Sequence, residues 1–142
     1  MIYGIGIDLV RISRIDRLLS RWGNRFADRV FTAAEIVQCR ARPRPAAAFA
    51  LRFAAKEAFS KALGTGMRQG VAWRDIETVS LPGGRPSLRI HGRAGRLCSR
   101  QGVSAVHLSL SDEGAYGSAV VVLESNGARP PDDGSNAGPV TR

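Results

Sequence analysis

Chemistry in this chain has few residues to draw on. His91 and His107 are its two histidines, and no Cys–His or Ser–His–Asp pattern occurs. The segment Gly4-Ile-Gly-Ile-Asp8 lacks the third glycine and the βαβ setting of a dinucleotide fingerprint. What remains is a pair of carboxylates, Asp8 and Glu57, with Lys61 one helical turn beyond Glu57. Two carboxylates completed by phosphate oxygens and water are a usual way to hold Mg²⁺, which dehydrates reluctantly. Spacing alone leaves other readings open: Asp8 could cap a following helix, and Glu57 could pair with Lys61 on an exposed face.

Charge narrows the partners. The 142 residues carry a formal net charge of +9 and an isoelectric point near 11.1, which points to an anionic partner. Nucleic acid, an acidic protein and a phosphorylated small molecule all satisfy that, and so does a merely solvated basic surface. Residues 11–44 hold nine arginines against Asp16, Asp28 and Glu35, whereas residues 125–142 are neutral. Of the 21 cationic residues only Lys56 and Lys61 are lysines, and both fall in one predicted helix. A chain that otherwise selects arginine keeps the compact, mobile ammonium at two neighbouring places.

The elements that must position these groups follow from periodicity. Ile2 to Leu9 alternates Tyr3, Ile5, Ile7 and Leu9 with Gly4, Gly6 and Asp8, a strand whose glycine side is closely approached and ends in an acid. Ile12, Ile15, Leu19, Trp22 and Phe26 recur at helical spacing, with Ser13 or Asp8 as candidate caps. Arg14, Arg17, Arg21 and Arg25 form one stripe on that helix, with Leu18 at its edge. Thr32 and Glu35 fit a capping box. A helix is predicted over 46–63, stopped by Gly64-Thr65-Gly66. Strands over 71–81 and 86–91, a helix over 92–102, and a hairpin over 103–112 and 116–124 complete the domain. The order is α+β, an antiparallel sheet packed with helices in a single domain over 1–124. Residues 125–142 lack apolar periodicity and are expected to be a disordered tail. No apolar run approaches the ~20 residues of a membrane span, and the N-terminus reads as a strand without a signal peptide's basic region. Cys39 and Cys98 lack ligand spacing and read as reduced, cytoplasmic thiols.

Four segments occur in order: Gly4-Ile-Gly-Ile-Asp8-Leu-Val, Phe31-Thr-Ala-Ala-Glu35, Arg52-Phe-Ala-Ala-Lys-Glu57-Ala-Phe-Ser-Lys61-Ala-Leu-Gly-Thr-Gly66 and His107-Leu-Ser-Leu-Ser-Asp112. Together they resemble the holo-acyl-carrier-protein synthases, the small phosphopantetheinyl transferases, over roughly residues 1–124. Arg11, where an acid is expected, and the residues from Ser125 depart from that pattern.

The resemblance implies transfer of 4′-phosphopantetheine from coenzyme A to a carrier serine, releasing adenosine 3′,5′-bisphosphate. It implies Mg²⁺ held by Asp8 and Glu57, Glu57 as proton acceptor and Lys61 as neutraliser or proton donor to the leaving phosphate. It assigns a nucleotide phosphate to Arg52, with His107 assisting, and close backbone approach to Gly64, Thr65 and Gly66. The acidic acyl carrier protein would dock on Arg14, Arg17, Leu18, Arg21 and Arg25. Homotrimers with sites between subunits are implied too, with Asp8 and Glu57 reaching one metal from different chains. The rival readings are a basic nucleic-acid-binding module and a magnesium-dependent nuclease. Few aromatics for base stacking and no known binding motif argue against a nucleic-acid partner.

Overall fold

The computed structural model describes residues 1–127. Its order is β1 (Ile2–Arg11), α1 (Ile12–Trp22), α2 (Asn24–Val30), α3 (Ala33–Arg40), α4 (Pro45–Leu63), a 3-10 turn (Trp73–Asp75), β2 (Ile76–Ser80), β3 (Pro86–Ile90), α5 (Gly92–Arg100), β4 (Val103–Glu113) and β5 (Tyr116–Ser125). The expected α+β class holds. An antiparallel sheet runs β1-β5-β4, and β2-β3 forms a separate hairpin.

α4 is the spine. Pro45 sits in its first turn, where a missing N–H costs nothing, and Gly64 ends it in the left-handed region at φ 87°. Seven alanines between Ala47 and Ala62 are buried on it, together with Phe49, Phe53 and Phe59. Small side chains leave its flank flat, and β1 lies directly on that flank. A Cβ built at Gly6 would collide with the Ala58 carbonyl and stand 2.8 Å from the Ala62 amide nitrogen; one at Gly4 would collide with the Ala62 carbonyl. The two glycines are therefore required by contact between backbones, as the alternation in sequence foretold.

Register decides the faces. Gly4, Gly6, Asp8 and Val10 stand opposite Leu123, Val121, Ala119 and Gly117 of β5, and these in turn oppose Val106, Leu108, Leu110 and Asp112 of β4; the register shifts only before this run, between Ile2 and Gly4 and between Val103 and Ala105. All of these face α4. Ile5, Ile7 and Leu9 point the other way, 60%, 60% and 66% exposed, beside Val120 and Val122.

Several local expectations change. The first helix breaks at Gly23 (φ 53°, ψ −128°), so Arg25 belongs to α2 and the arginine stripe is split. Neither Ser13 nor Asp8 caps α1; Arg11 occupies the cap without a side-chain bond. The strand predicted from Val71 begins at Ile76, because the 3-10 turn precedes it. Thr32 and Glu35 do form a capping box. At the C-terminal edge, Ser125 exchanges bonds with Met1 and the Asn126 amide donates to the Gly102 carbonyl. The expected tail is thus joined to the sheet at its first two residues, and from 128 it lies outside the described residues.

Gly6→Ala should lower stability by about 1–3 kcal/mol or more through overpacking, read as a drop in melting temperature. The outer-face control Ser109→Ala should melt within a degree or two of wild type; equal melting of both variants would contradict the backbone seam.

Candidate active site

The β1–α4 seam sets Asp8 beside α4 two turns from that helix's end. Lys61 Nζ donates to Asp8 Oδ1 at 3.1 Å and to the Ile7 carbonyl at 2.9 Å. Lys61 is half-exposed and Asp8 largely covered. Glu57, one turn earlier on α4, is half-buried. Burial first, and then the charge of Asp8, push its carboxyl above the ordinary value, against Lys61 and Arg14. Asp8, Glu57 and Lys61 of a single chain thus share one electrostatic neighbourhood. The expectation that Asp8 and Glu57 come from different chains is corrected here: the glycine seam sets Asp8 of a chain within the electrostatic reach of its own Glu57. The alternative of a Glu57–Lys61 surface pair also fails, since the hydrogen bonds of Lys61 go to β1.

Two hard carboxylates that repel one another fit a divalent cation placed between them. Among the described residues no group of three or more His, Cys, Asp or Glu side chains is arranged around a metal. Two carboxylates suit an ion that takes two protein ligands and leaves the rest of its shell to substrate and water, as Mg²⁺ does.

Arg52 is buried, one turn before Lys56 on α4. It donates to the Ala48 carbonyl at 3.2 Å and to Gln38 Oε1 at 3.4 Å, but its Nε is buried without a partner. Thr78 Oγ1 on β2 is buried without a partner as well. Both residues line one cavity of about 410 Å³, joined by Arg42, Arg44 and Asp112. Orphaned buried polar groups are rare, and two of them facing a cavity with three arginines mark a place for an anionic, hydrogen-bonding ligand. Arg42, Arg44 and Thr78 were missed by sequence reasoning. In sequence Arg42 and Arg44 flank Pro43, and a basic pair at the entry to a long helix was a usable signal.

The other expected residues lie elsewhere. Gly64, Thr65 and Gly66 close the far end of α4, where the Thr65 and Gly66 amides donate to the Ser60 carbonyl. They do not line the arginine pocket, though a Cβ at either glycine would meet open space. His107 stands on the outer sheet face, 3.5 Å from Glu124 Oε2. It is separated from Arg52 of its own chain by the thickness of the sheet, so these two cannot grip one phosphate within a single chain. Of the arginine stripe, Arg14 lies over the Phe53 ring at 5.7 Å, and Phe53 stacks on Trp73 at 5.1 Å. Arg21 lies over Trp22 at 5.0 Å, and Arg17 is exposed. Leu18, Trp22, Phe26, Arg25 and Arg29 line a groove of about 360 Å³ where α1 meets α2. The helix break thus turns a charged stripe into an apolar groove with arginines at its rim.

Known proteins resemble this chain in sequence and in fold. Residues 4–121 match the family model of the 4′-phosphopantetheinyl transferase superfamily. A holo-[acyl-carrier-protein] synthase of Geobacter sulfurreducens is 47% identical over 124 residues, 87% of this chain and 98% of that protein. The crystal structure of the holo-[acyl-carrier-protein] synthase from Neisseria meningitidis superimposes with a TM-score of 0.81 at 43% identity, covering 88% of this chain and all of that one. One from Bacillus anthracis, in complex with CoA (3′,5′-ADP), gives a TM-score of 0.73 at 38% identity over 88% and 98% of the two chains. Matched by this family model over residues 4–121 and by these relatives over most of its length, the chain belongs to the 4′-phosphopantetheinyl transferase superfamily, in the holo-acyl-carrier-protein synthase family.

Proposed function

We propose that this chain moves 4′-phosphopantetheine from coenzyme A to a serine of an apo acyl carrier protein, using Mg²⁺ held by Asp8 and Glu57. The observation that carries this reading is the succession along α4 of an anion pocket at Arg52 and a carboxylate–lysine group at Glu57 and Lys61. Five residues separate Arg52 from Glu57, a rise of about 7–8 Å. At about 100° per residue the two lie on opposite flanks of α4, so a ligand with separated phosphates would take the carboxylate–lysine group of one chain and the arginine pocket of a neighbour. The Bacillus anthracis relative in complex with CoA (3′,5′-ADP) supports coenzyme A as that ligand.

In the reaction the serine hydroxyl attacks the phosphorus bearing the pantetheine. A new Oγ–P bond forms, the P–O bond of the pyrophosphate breaks, and adenosine 3′,5′-bisphosphate leaves. Mg²⁺ between Asp8 and Glu57 would neutralise phosphate charge. Glu57, with its raised proton affinity, accepts the serine proton directly or through water. Lys61 compensates charge on the leaving phosphate and can protonate it, a role suited to a mobile ammonium. Arg42, Arg44 and Arg52 bind the nucleotide phosphates, with the guanidinium fork of Arg52 already aligned by Ala48 and Gln38. Gly64, Thr65 and Gly66 let the substrate pass close to the backbone. The groove at Leu18 takes an apolar side chain of the carrier, while Arg14, Arg17, Arg21 and Arg25 face its acids.

The open apolar sheet face supports assembly into a homotrimer. Ile5, Ile7, Leu9, Val120 and Val122 form a continuous patch that a lone chain would leave wet. His107 lies on that face, so in an oligomer it would serve a neighbouring chain's nucleotide. A native mass equal to one chain at micromolar concentration would remove this part of the reading. Cys39 and Cys98 are buried and free, which supports a cytoplasmic setting. Among the described residues no helix is long and apolar enough to cross a membrane.

Incubation with coenzyme A, Mg²⁺ and an apo carrier should add the phosphopantetheine mass to the carrier. Asp8→Asn and Glu57→Gln should each cut that transfer by about 10²–10³-fold with melting temperature nearly unchanged. A variant that keeps wild-type rates at saturating Mg²⁺ would take its residue out of the site. Degraded nucleic acid with an unmodified carrier would favour the nuclease instead.

Arg14→Glu combined with Arg21→Glu should raise the KM for the carrier at least about tenfold while the KM for coenzyme A stays put. The wild-type KM for the carrier should also rise with salt, since exposed charges are screened beyond about 8 Å at physiological ionic strength. A double variant with unchanged carrier kinetics would reduce these arginines to solvation.

A further inference from the structure

Three exposed arginines near the start of the chain rest on aromatic rings. Arg14 lies over Phe53 at 5.7 Å, Arg21 over Trp22 at 5.0 Å and Arg11 over Tyr116 at 5.3 Å. The first two belong to the carrier stripe described above, and Arg11 does not. In a chain only 6% aromatic, the repetition of this arrangement sets Arg11 apart from a merely solvated cation.

Nothing local calls for Arg11. It is the residue before α1, extended at φ −78° and ψ 121°, and its side chain makes no cap. The first turn of α1 holds no acid and contains Arg14 as well. Cations at the positive end of a helix dipole oppose the helix. Among the described residues no carboxylate forms an ion pair with Arg11. Its Nη2 donates instead to the Tyr116 hydroxyl at 2.9 Å, across the strand pair that sets Arg11 opposite Tyr116. Ring and hydroxyl together hold an exposed cation in one orientation.

The position of that cation is more telling. Asp8 lies three residues earlier on β1, about 10 Å along the strand, and β1 runs directly into α1. Arg11 precedes Arg14 by three residues and Leu18 by seven, the spacing of one helix face. Arg14 leans on Phe53, one turn before Glu57 on α4, while Arg11 leans on Tyr116 of β5. The two bracket the end of α1 nearest the reactive carboxylates. A serine delivered to Asp8 and Glu57 arrives at this end, and an acidic carrier brings negative charge with it. Arginines already held in place lose little freedom when they meet that charge.

We infer that Arg11, seated on Tyr116, is a further carrier-binding residue that extends the docking face from α1 onto the end of β1. Its ligand is a carboxylate of the carrier. Tyr116 is a positioning residue that acts only through Arg11. The inference rests on the carrier reading above.

The test is steady-state modification of the carrier by Arg11→Gln, Arg11→Glu, Tyr116→Phe and the double variant Arg11→Gln with Tyr116→Phe. Arg96→Gln, an exposed site on α5, controls for the loss of one surface charge. Arg11→Gln should raise the KM for the carrier about threefold and Arg11→Glu about tenfold. In both, kcat, the KM for coenzyme A and the native mass should match wild type. The fold is not at risk, since Arg11→Glu places an acid where the helix dipole favours one. The rise should fade at high salt, because a rim charge acts mainly on association. Tyr116→Phe keeps the ring and loses the hydroxyl, so its KM should fall between wild type and Arg11→Gln. In the double variant the tyrosine change should add nothing to Arg11→Gln, whereas additive losses would remove Tyr116 as its positioner. A wild-type carrier KM in Arg11→Glu would overturn the inference. An equal rise in Arg96→Gln would do the same by reducing Arg11 to net charge. A changed native mass would assign Arg11 and Tyr116 to the contact between chains instead. Wild-type protein that leaves the carrier unmodified would sink the carrier reading itself, and this inference with it.

Discussion

Everything in the site depends on two backbones touching. β1 can lie on α4 only because Gly4 and Gly6 meet Ala58 and Ala62, with no side chain between the strand and the helix carbonyls. That closeness is what carries Asp8 to Lys61 and into the field of Glu57. A pair of larger residues in the seam would add apolar area to the core and lose the site. The low aromatic content and the many buried alanines of α4 are the same choice seen in composition: thin packing where chemistry needs two elements close, with Phe49, Phe53 and Phe59 filling volume away from the seam. Interiors packed at crystal density transmit such constraints rather than absorb them.

The cations divide by task. Lys56 is locked in the core by an acid and two carbonyls, whereas Lys61 reaches from a half-exposed position to Asp8. A guanidinium fits neither place well: its planar fork could not meet three converging oxygens as the Lys56 ammonium does, nor move as freely beside a reacting phosphate. Arg52 is the converse case. Its fork is fixed by two acceptors, and its Nε–H has no protein partner. The surface arginines of α1 and α2 rim an apolar groove, so attraction and burial are offered to a partner together.

Much of this was legible in the residues because the relevant patterns are local. Gly4-Ile-Gly-Ile-Asp8 alternates with period two and so declares both the close face and the acid that ends it. Thr32 and Glu35 declare a helix start, Gly64 a helix end, and the ordered segments the family. Long-range pairing was not legible. Nothing near Lys56 in sequence announces Glu35, and nothing near Arg52 announces Thr78, since β2 is brought there by tertiary packing. The break at Gly23 was hidden because apolar spacing runs unchanged from Leu19 to Phe26, and only the backbone angle of one glycine separates α1 from α2. The division of Asp8 and Glu57 between chains was inherited from resemblance, and the contact of β1 with α4 replaces it. His107 shows the opposite: its strand position was read correctly, but which face it occupies follows from pairing with Val122.

The sheet that results is covered on one side by α4 and bare on the other, so the reactive carboxylates belong to the covered side and the contacts between chains to the bare one. That separation is the central claim, and mixing two inactive proteins tests it directly. Asp8→Asn and Glu57→Gln chains, dissociated and reassembled together, should give mixed oligomers by native mass that transfer no more phosphopantetheine than either parent, because every site then carries one damaged carboxylate. Recovery of activity in the mixed oligomers would mean that Asp8 and Glu57 act from different chains, and would contradict the seam as the origin of the site.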